Sequence, residues 1–405
     1  MNKINKIRIA GFRSIRDQEI DLRPINVLIG ANGSGKSNFV SVFSMLNSIV
    51  TGSLQVFVQE RGGANSILHY GAKHTPQLEV DFEFETTEGV NGYMARLGYA
   101  ASDTLMFLDE RIKFTRLGTE NPNGPLSLGA GHKESALKEA ADSGGQTARS
   151  LKWLMDRCKS YQFHDTSPRA EIRQNHYVND GAYLRDDAGN LAPFLYGLRN
   201  SRREYYERIV STIRLALPFF DDFILEPTAA NGNYITLDWK ETGSDYRFGA
   251  HQIADGALRF MALATLLLQP KDKMPSVIII DEPELGLHPY AISLLGSLIR
   301  GVSTESQVIV ATQSTELVDQ FEADDIIVVD RQERESTFLR QHSEQLKEWL
   351  EEYAVSELWK KNIIGGRPHT SVVNDPVVQA LLRQKRMNME SVYGGNGKIK
   401  KREEV

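Results

Sequence analysis

The sequence predicts an α/β fold in which a mixed sheet carries a phosphate-binding loop, with an antiparallel β subdomain and a compact helical lobe attached. Three observations predict it. Gly30-Ala31-Asn32-Gly33-Ser34-Gly35-Lys36-Ser37 is a complete G-x-x-x-x-G-K-S loop, preceded by the apolar run Ile25–Ile29 and followed by Phe39, Val40, Phe43, Leu46 and Val50 at helical spacing. Val277–Ile280 is an uncharged β-branched run, as expected for a parallel strand buried on both faces, and it ends in Asp281-Glu282. Leu78, Val80, Phe82 and Phe84 alternate with acids, the period of a half-buried antiparallel strand.

Composition bounds the rest. The chain has 405 residues, 41% hydrophobic and 25% charged, which reads as soluble and globular: roughly two to three ordinary domains or one elaborated α/β domain. A net charge of −6 argues against a globally basic nucleic-acid surface. One cysteine, Cys158, excludes an internal disulfide or a thiolate metal cluster and fits a reducing cytosol. The N-terminus lacks an apolar signal core, and the longest apolar helix-like run, Ala257–Leu268, is interrupted by Arg259 and too short for a bilayer. A cytoplasmic location without membrane contact is expected.

In chain order, residues 1–115 read as an N-terminal lobe. Ile7–Ile15 is a strand before the loop, and Gln77–Glu85, Tyr93–Tyr99 and Thr104–Phe114 are antiparallel strands joined by turns at Glu88-Gly89 and Ala101-Ser102. Residues 116–250 read as an insertion and a helical lobe. Within them 118–147, rich in Gly, Ser, Asn and Ala, predict a mobile or accessory insertion. Ala148 to Phe220 is helical and basic, with sustained periodicity only over Leu191–Leu217, too few heptads for a coiled-coil rod. Its arginines, among them Arg199, Arg202, Arg203 and Arg214, are read chiefly as a solvated face, with phosphate contact as the alternative. Lone histidines such as His164 and His176 lack metal-ligand spacing and are read as structural. Residues 251–340 form a C-terminal lobe, and 341–405 a helical segment with a basic tail over Arg383–Arg402.

The chemistry follows from residue type. Backbone N–H groups of the loop point at phosphate, Lys36 neutralises its charge, Ser37 ligates Mg²⁺, and the helix starting near Lys36 adds its positive end. At the carboxyl end of a parallel strand, Asp281 holds the metal through water and Glu282 polarises the water that attacks the γ-phosphate. The turn at His251–Arg259 presents further backbone donors at a helix start.

Together Gly30–Ser37, Ile253–Arg259, Ile280-Asp281-Glu282-Pro283 and Val310-Ala311-Thr312-Gln313-Ser314 resemble the phosphate loop, signature, Walker B and switch segments of an ABC-type ATPase. Phe12-Arg13-Ser14 before the loop, and Glu357-Leu358-Trp359 running to Gly365-Gly366-Arg367-Pro368, are similar to the RecF/SMC/OLD-like branch, in its stand-alone AAA-family, RecF-like form. The resemblance covers most of residues 1–370. It implies a P-loop ABC ATPase head that uses ATP and Mg²⁺ and closes as a homodimer, or higher homo-oligomer, around two nucleotides. Carried over, the loop from Gly30 to Asn38 (Gly30, Ala31, Asn32, Gly33, Ser34, Gly35, Lys36, Ser37, Asn38) and Gln313 hold nucleotide. Ala254, Asp255 and Gly256 would reach the opposing protomer's nucleotide. Glu282 and Lys36 are the catalytic pair, Ser37 and Asp281 are on the metal, and Gln59 is the candidate sensing glutamine beside it. Glu284–Pro289 matches the dimer-contacting loop.

Departures from the family pattern bear on rate. Ala254 stands where serine is common, Ala257 where threonine is frequent, and Gln313 where many members place histidine. Each loss removes a donor or charge from the transition state, for which one donor often contributes ~3 kcal/mol, so slow or partner-stimulated hydrolysis is expected. After Asp330 the only aspartate is Asp375, with no Asp-x-Asp pair, so no fused nuclease is expected. The implied role is an ATP-driven switch acting on DNA or a separate effector protein, in antiphage defence or DNA repair. The competing readings are a non-hydrolysing scaffold and a transporter ATPase; the opening strand, the missing signature serine and the Leu-Trp to Gly-Gly-Arg-Pro ending count against the latter.

Overall fold

The computed structural model describes residues 2–118, 124–228 and 231–366; Arg367-Pro368 and the basic tail lie outside the described residues. The chain opens with the hairpin β1 (Lys3–Phe12) and β2 (Ile15–Asp21), then β3 (Ile25–Ile29), buried at every position, which leads through the loop into α1 (Lys36–Thr51). Short α2 (Leu54–Glu60) and α3 (Ala64–Ile67) return the chain to an antiparallel sheet completed by β4 (Gln77–Glu85), β5 (Gly89–Ala100), β6 (Thr104–Arg116) and β7 (Leu126–Gly129). Next come α4 (Leu137–Asp142), α5 (Gln146–Asp156) and β8 (Cys158–Tyr161). The helical lobe holds β9 (His176–Tyr177), α6 (Leu191–Ser201), α7 (Arg203–Ala216), β10 (Phe220–Ile224), β11 (Tyr234–Ile235) and β12 (Asp238–Glu241). The chain then runs through α8 (Asp255–Leu268), β13 (Val277–Asp281), α9 (Pro289–Val302), β14 (Gln307–Thr312), α10 (Thr315–Val318), β15 (Ile326–Gln332), β16 (Glu335–Arg340), α11 (Lys347–Leu350) and α12 (Val355–Lys360).

Two six-stranded sheets organise these elements. One is antiparallel, in the order β2-β1-β4-β5-β6-β7; the other is mixed, β16-β15-β3-β14-β13-β8, parallel except for the edge strand β16. Strand alternation in the mixed sheet divides the apolar interior in two. Val27, Ile278, Ile280, Val308, Val310 and Val328 face α6, α7, α8 and α9, whereas Leu28, Ile279, Ile309, Ile327 and Val329 face α1 and the antiparallel sheet. A strand buried on both faces needs apolar residues at consecutive positions, which is why these segments read as unbroken runs.

The structure corrects the sequence reading in the middle of the chain. Residues 148–220 are not continuously helical: β8 leaves α5 and becomes an edge strand of the mixed sheet, parallel to β13. Residues Leu191–Leu217 are two helices, broken at Arg202, where the backbone leaves the helical region (φ −143°, ψ 55°). The described part of 118–147 is largely exposed but anchored at a few points. Leu137 and Ala141 are buried, and the Glu134 carboxylate accepts from the Leu54 and Gln55 N–H groups at 2.8 and 3.0 Å, capping α2. Several arginines of the helical lobe are already engaged: Arg203 with Glu207 at 2.7 Å, Arg214 with Asp221 at 3.2 Å, Arg202 with Asp272 at 3.4 Å, and Arg199 on the Leu225 carbonyl.

Candidate nucleotide site

Strand order brings the motifs together. β14 lies between β3 and β13, so the carboxyl ends of three adjacent parallel strands carry the loop, Gln313 and Asp281-Glu282 side by side. Gly35 shows why the loop needs glycine. Its φ is 120°, and a Cβ there would come within 2.2 Å of the Ser336 hydroxyl, which itself donates to the Ser34 carbonyl at 2.5 Å. No side chain caps the start of α1 at Gly35, leaving its first N–H groups to an anion.

Lys36 is buried, and its Nζ donates to the Gly30 and Ala31 carbonyls at 2.7 and 3.2 Å, folded back along the loop. Burial lowers the pKa of its ammonium, opposed by Glu282, Asp281 and Glu284. Asp281 is held the other way: burial raises its carboxyl above the ordinary range, while a hydrogen bond with Ser37 acts to lower it. One Asp281 carboxylate oxygen, the Ser34 hydroxyl and one Glu284 oxygen are buried without a hydrogen-bond partner. A buried polar atom without a partner is costly. The Ser37 hydroxyl and the Asp281 carboxylate beside it are oxygen ligands of the kind a hard divalent cation takes, and the Ser34 hydroxyl can donate to a phosphate.

Glu282 is half-buried, and Gln313 Nε2 donates to its Oε1 at 2.6 Å. Glu284 turns inward: one oxygen accepts from Thr312 Oγ1 at 2.6 Å, Gln313 N at 3.1 Å and Ser314 N at 3.2 Å, fixing the loop that presents Gln313. Ala254 and Asp255 are exposed at the start of α8, away from this loop's own contacts, and Gly256 packs so closely on the segment after Glu282 that a Cβ would meet the Gly286 carbonyl at 2.0 Å. Asn38 is committed to the β1–β2 turn, donating to Ser14 Oγ at 2.7 Å and accepting from Arg13 at 3.3 Å. The structure does not bring Gln59 to the site. α2 begins beyond the far end of α1 from Ser37, and its register buries Phe57 and Val58 while turning Gln59 outward.

Several residues around the site escaped the sequence reading. His164, just past β8, keeps a structural bond, but one made at the site: its Nε2 sits 2.7 Å from the Asp281 carbonyl. His176 does fit the structural reading, bonded to the Glu171 carbonyl at 2.6 Å. Arg331 reaches the Gly33 carbonyl at 3.2 Å and Tyr70 at 3.3 Å, flanking the mouth of the loop. The ending flagged by resemblance returns here too: the Gly366 carbonyl accepts from Ala31 N at 3.1 Å and from Trp359 Nε1 at 3.4 Å. Only a polar cluster, His164-Asp165-Thr166-Ser167, right after a short strand hinted at His164.

Comparison with known proteins bears on the family and the fold. A family described as "AAA domain, putative AbiEii toxin, Type IV TA system" matches residues 25–319. Among solved structures, an Smc head bound to the C-terminal winged-helix domain of ScpA is similar at 18% identity, covering 85% of this chain and 99% of that one, with a TM-score of 0.58. The Pyrococcus furiosus Smc head with an extended coiled coil, bound to the C-terminal domain of ScpA, gives 16% identity, 87% and 99% coverage and a TM-score of 0.57. A Pyrococcus yayanosii Smc head with coiled coil and joint gives 14%, 87%, 99% and 0.51. No curated protein matches the chain. The fold is thus that of a P-loop, ABC/SMC-like ATPase head, with no nuclease domain evident and no helix long and apolar enough to cross a membrane among the described residues. With most of its length inside the family match, the chain belongs to that AAA-domain family.

Proposed function

We propose that this family member is an ATP-hydrolysing switch that closes as a homodimer around two nucleotides and, through that closure, regulates a separate effector or a nucleic-acid transaction in antiphage defence or DNA repair. The observation that carries the reading is the convergence of Lys36 and Ser37 after β3 with Asp281 and Glu282 at the end of β13, either side of β14, where Ser34 and Asp281 each keep a buried side-chain oxygen without a partner. Lys36 releases the loop carbonyls and pairs with phosphate. Ser37 and Asp281 would hold Mg²⁺, whose charge, when bound, neutralises the phosphate oxygens. Glu282 orients and accepts a proton from the attacking water, and Gln313 keeps its carboxylate aimed. Ala254, Asp255 and Gly256, at an exposed helix start, are offered to the nucleotide of the other protomer.

The family description names a toxin of a toxin–antitoxin system, and the Smc heads of like fold are bound by a domain of a separate protein, ScpA; both support an output that depends on a partner. A non-hydrolysing scaffold is the second reading, favoured by Ala254, which brings no hydroxyl to the signature position. Steady-state ATP turnover, alone and with DNA, together with the mass of the Glu282→Gln protein in ATP, separates them. Turnover that Glu282→Gln abolishes, with an ATP-dependent dimer, supports the switch. No turnover under any condition, with dimerisation intact, supports the scaffold and sinks the hydrolytic reading.

A further inference from the structure

Glu282 has a left-handed backbone, φ 44°, a conformation that a non-glycine residue keeps only when its surroundings enforce it. The peptide joining it to Asp281 is pinned at both ends. Its carbonyl, that of Asp281, lies 2.7 Å from His164 Nε2, and its N–H, that of Glu282, donates to the Ala311 carbonyl at 2.7 Å. One clamp comes from β14, which is buried and fixed in the sheet. The other comes from the loop after the edge strand β8.

That loop is itself strapped to the helix bearing the signature segment. Arg259, in the second turn of α8, donates from Nη2 to the His164 carbonyl at 2.8 Å and to Thr166 Oγ1 at 3.3 Å, and from Nε to the Phe163 carbonyl at 3.1 Å. Its Nη1 donates to the Leu285 carbonyl at 3.0 Å, three residues past Glu282. One planar guanidinium, whose donors have fixed relative directions, therefore joins the loop that carries His164 to the segment just after Glu282. A second, Arg173, ties the same loop to the start of α8. It bonds the Thr166 carbonyl at 2.8 Å, the Ile253 carbonyl at 3.1 Å, the Asp255 carboxylate at 2.8 Å, and the Ala250 carbonyl.

We infer that His164 is a positioning residue that locks the Asp281–Glu282 peptide, and that Arg259 couples this lock to the signature segment on α8, so that what Ala254–Gly256 meet aligns the base of the same protomer. The inference rests on the reading of Glu282 as the base. A shift of the α8 start carries Arg259 with it, and with Arg259 the loop that holds His164. The Glu282 carboxylate then moves relative to the phosphate loop while Lys36 and Ser37 stay in place, so the effect falls on turnover and spares binding.

The test uses the full chain, with steady-state ATP hydrolysis, ATP affinity and melting temperature measured for His164→Ala, His164→Gln, Arg259→Lys, the double variant His164→Ala with Arg259→Lys, and Glu282→Gln as reference. His164→Ala lowers kcat by ~10²-fold, the scale expected for a misplacement of about 1 Å, with ATP affinity and melting temperature near parental. His164→Gln, whose amide can donate to the same carbonyl, recovers most of that loss, which a change in packing alone would not give. Arg259→Lys lowers kcat with KM unchanged, and the double variant is no slower than His164→Ala, because the two act as one unit. Parental kcat in a folded His164→Ala protein, while Glu282→Gln is inert, overturns the inference, as do losses that simply add. Parental turnover by Glu282→Gln removes the base reading itself, and that result is visible in the reference variant alone. Should His164→Ala fail to fold, His164→Gln and Arg259→Lys carry the same comparison.

Discussion

Two buried carboxylates sit in opposite circumstances. Glu110, fully buried in the antiparallel sheet, is saturated: Tyr93 OH donates at 2.7 Å and Ala136 N at 2.9 Å, Ser135 adds its hydroxyl, and His132 Nε2 lies at 2.9 Å. Asp281, 7% exposed at the end of β13, keeps one oxygen without a partner, beside Ser34 and Glu284 in the same condition. Burial has been put to different use. Glu110 ties β5, β6 and the 131–137 segment into one body. Asp281 keeps an acceptor open beside Ser37, where a cation can complete its bonding.

The largest expected effect tests the functional end of this contrast. Glu282→Gln should cut turnover by ~10²–10⁴-fold, the contribution of a positioned general base, while ATP still binds and holds a dimer together. Lys36→Ala should instead lose nucleotide binding, read by titration with a fluorescent ATP analogue. Equal loss of binding in both variants would erase the division of labour between loop and strand end.

At the structural end, Glu110→Ala strips the acceptor from four donors in a sealed interior. A cost of ~3–5 kcal/mol is expected, the range for breaking a buried charged network, measured by urea unfolding. ATP affinity of the protein that remains folded should stay parental. If affinity falls with stability, the antiparallel sheet is part of the site and the contrast fails.

Asp281→Asn should do the reverse of Glu110→Ala. Burial raises the Asp281 carboxyl above its unfolded value of 3.8, so the folded chain binds this proton more tightly than the unfolded one. Ionised Asp281 therefore opposes folding, and the penalty grows as pH rises from the ordinary carboxylate range through the raised pKa. Removing the charge should raise the melting temperature of the nucleotide-free protein at pH 7, with the gain fading toward pH 4. The stabilisation that ATP with Mg²⁺ gives should be lost together with the charge. A melting temperature at pH 7 that falls would mean that Asp281 is already satisfied.

The parts legible in the sequence were those where chemistry or burial constrains consecutive residues. The loop needs its glycines, Lys36 and Ser37 in one run, and the buried runs Ile25–Ile29, Val277–Ile280 and Gln307–Thr312 carry no charge, so each motif announces its strand. β8 was hidden because Cys158–Tyr161 is a four-residue edge strand with a lysine, following a helix with no turn signal. Its identity depends on pairing with β13 more than a hundred residues away, and His164 is brought to Asp281 only by that pairing. The resemblance assigns Glu284–Pro289 to a dimer-contacting loop but says nothing of the Glu284 side chain, which turns back to hold Gln313. The segment after β7 reads as a mobile or accessory insertion, and its anchors are hidden because Glu134 and Glu110 act on distant backbone and hydroxyl groups. Local composition records none of this.

The smallest effect concerns Ala254, where the two uses of a polar group compete at one position. Ala254 is the N-cap of α8, with an extended backbone (φ −60°, ψ 144°) and no side-chain cap. A serine there can accept from the N–H of Gly256 or Ala257 and stabilise its own helix, an effect of ~1 kcal/mol. The same hydroxyl, turned outward, could reach a phosphate across the dimer and contribute about as much there as one neutral hydrogen bond, ~1 kcal/mol. It cannot do both with equal strength. Ala254→Ser should therefore raise the melting temperature of the nucleotide-free protein slightly and also tighten ATP-dependent dimerisation or speed turnover by a factor of ~5, the equivalent of 1 kcal/mol. A gain in melting temperature with no change in dimerisation or turnover would assign the position to capping alone, and Ala254 would then join Glu110 among the residues that serve the fold.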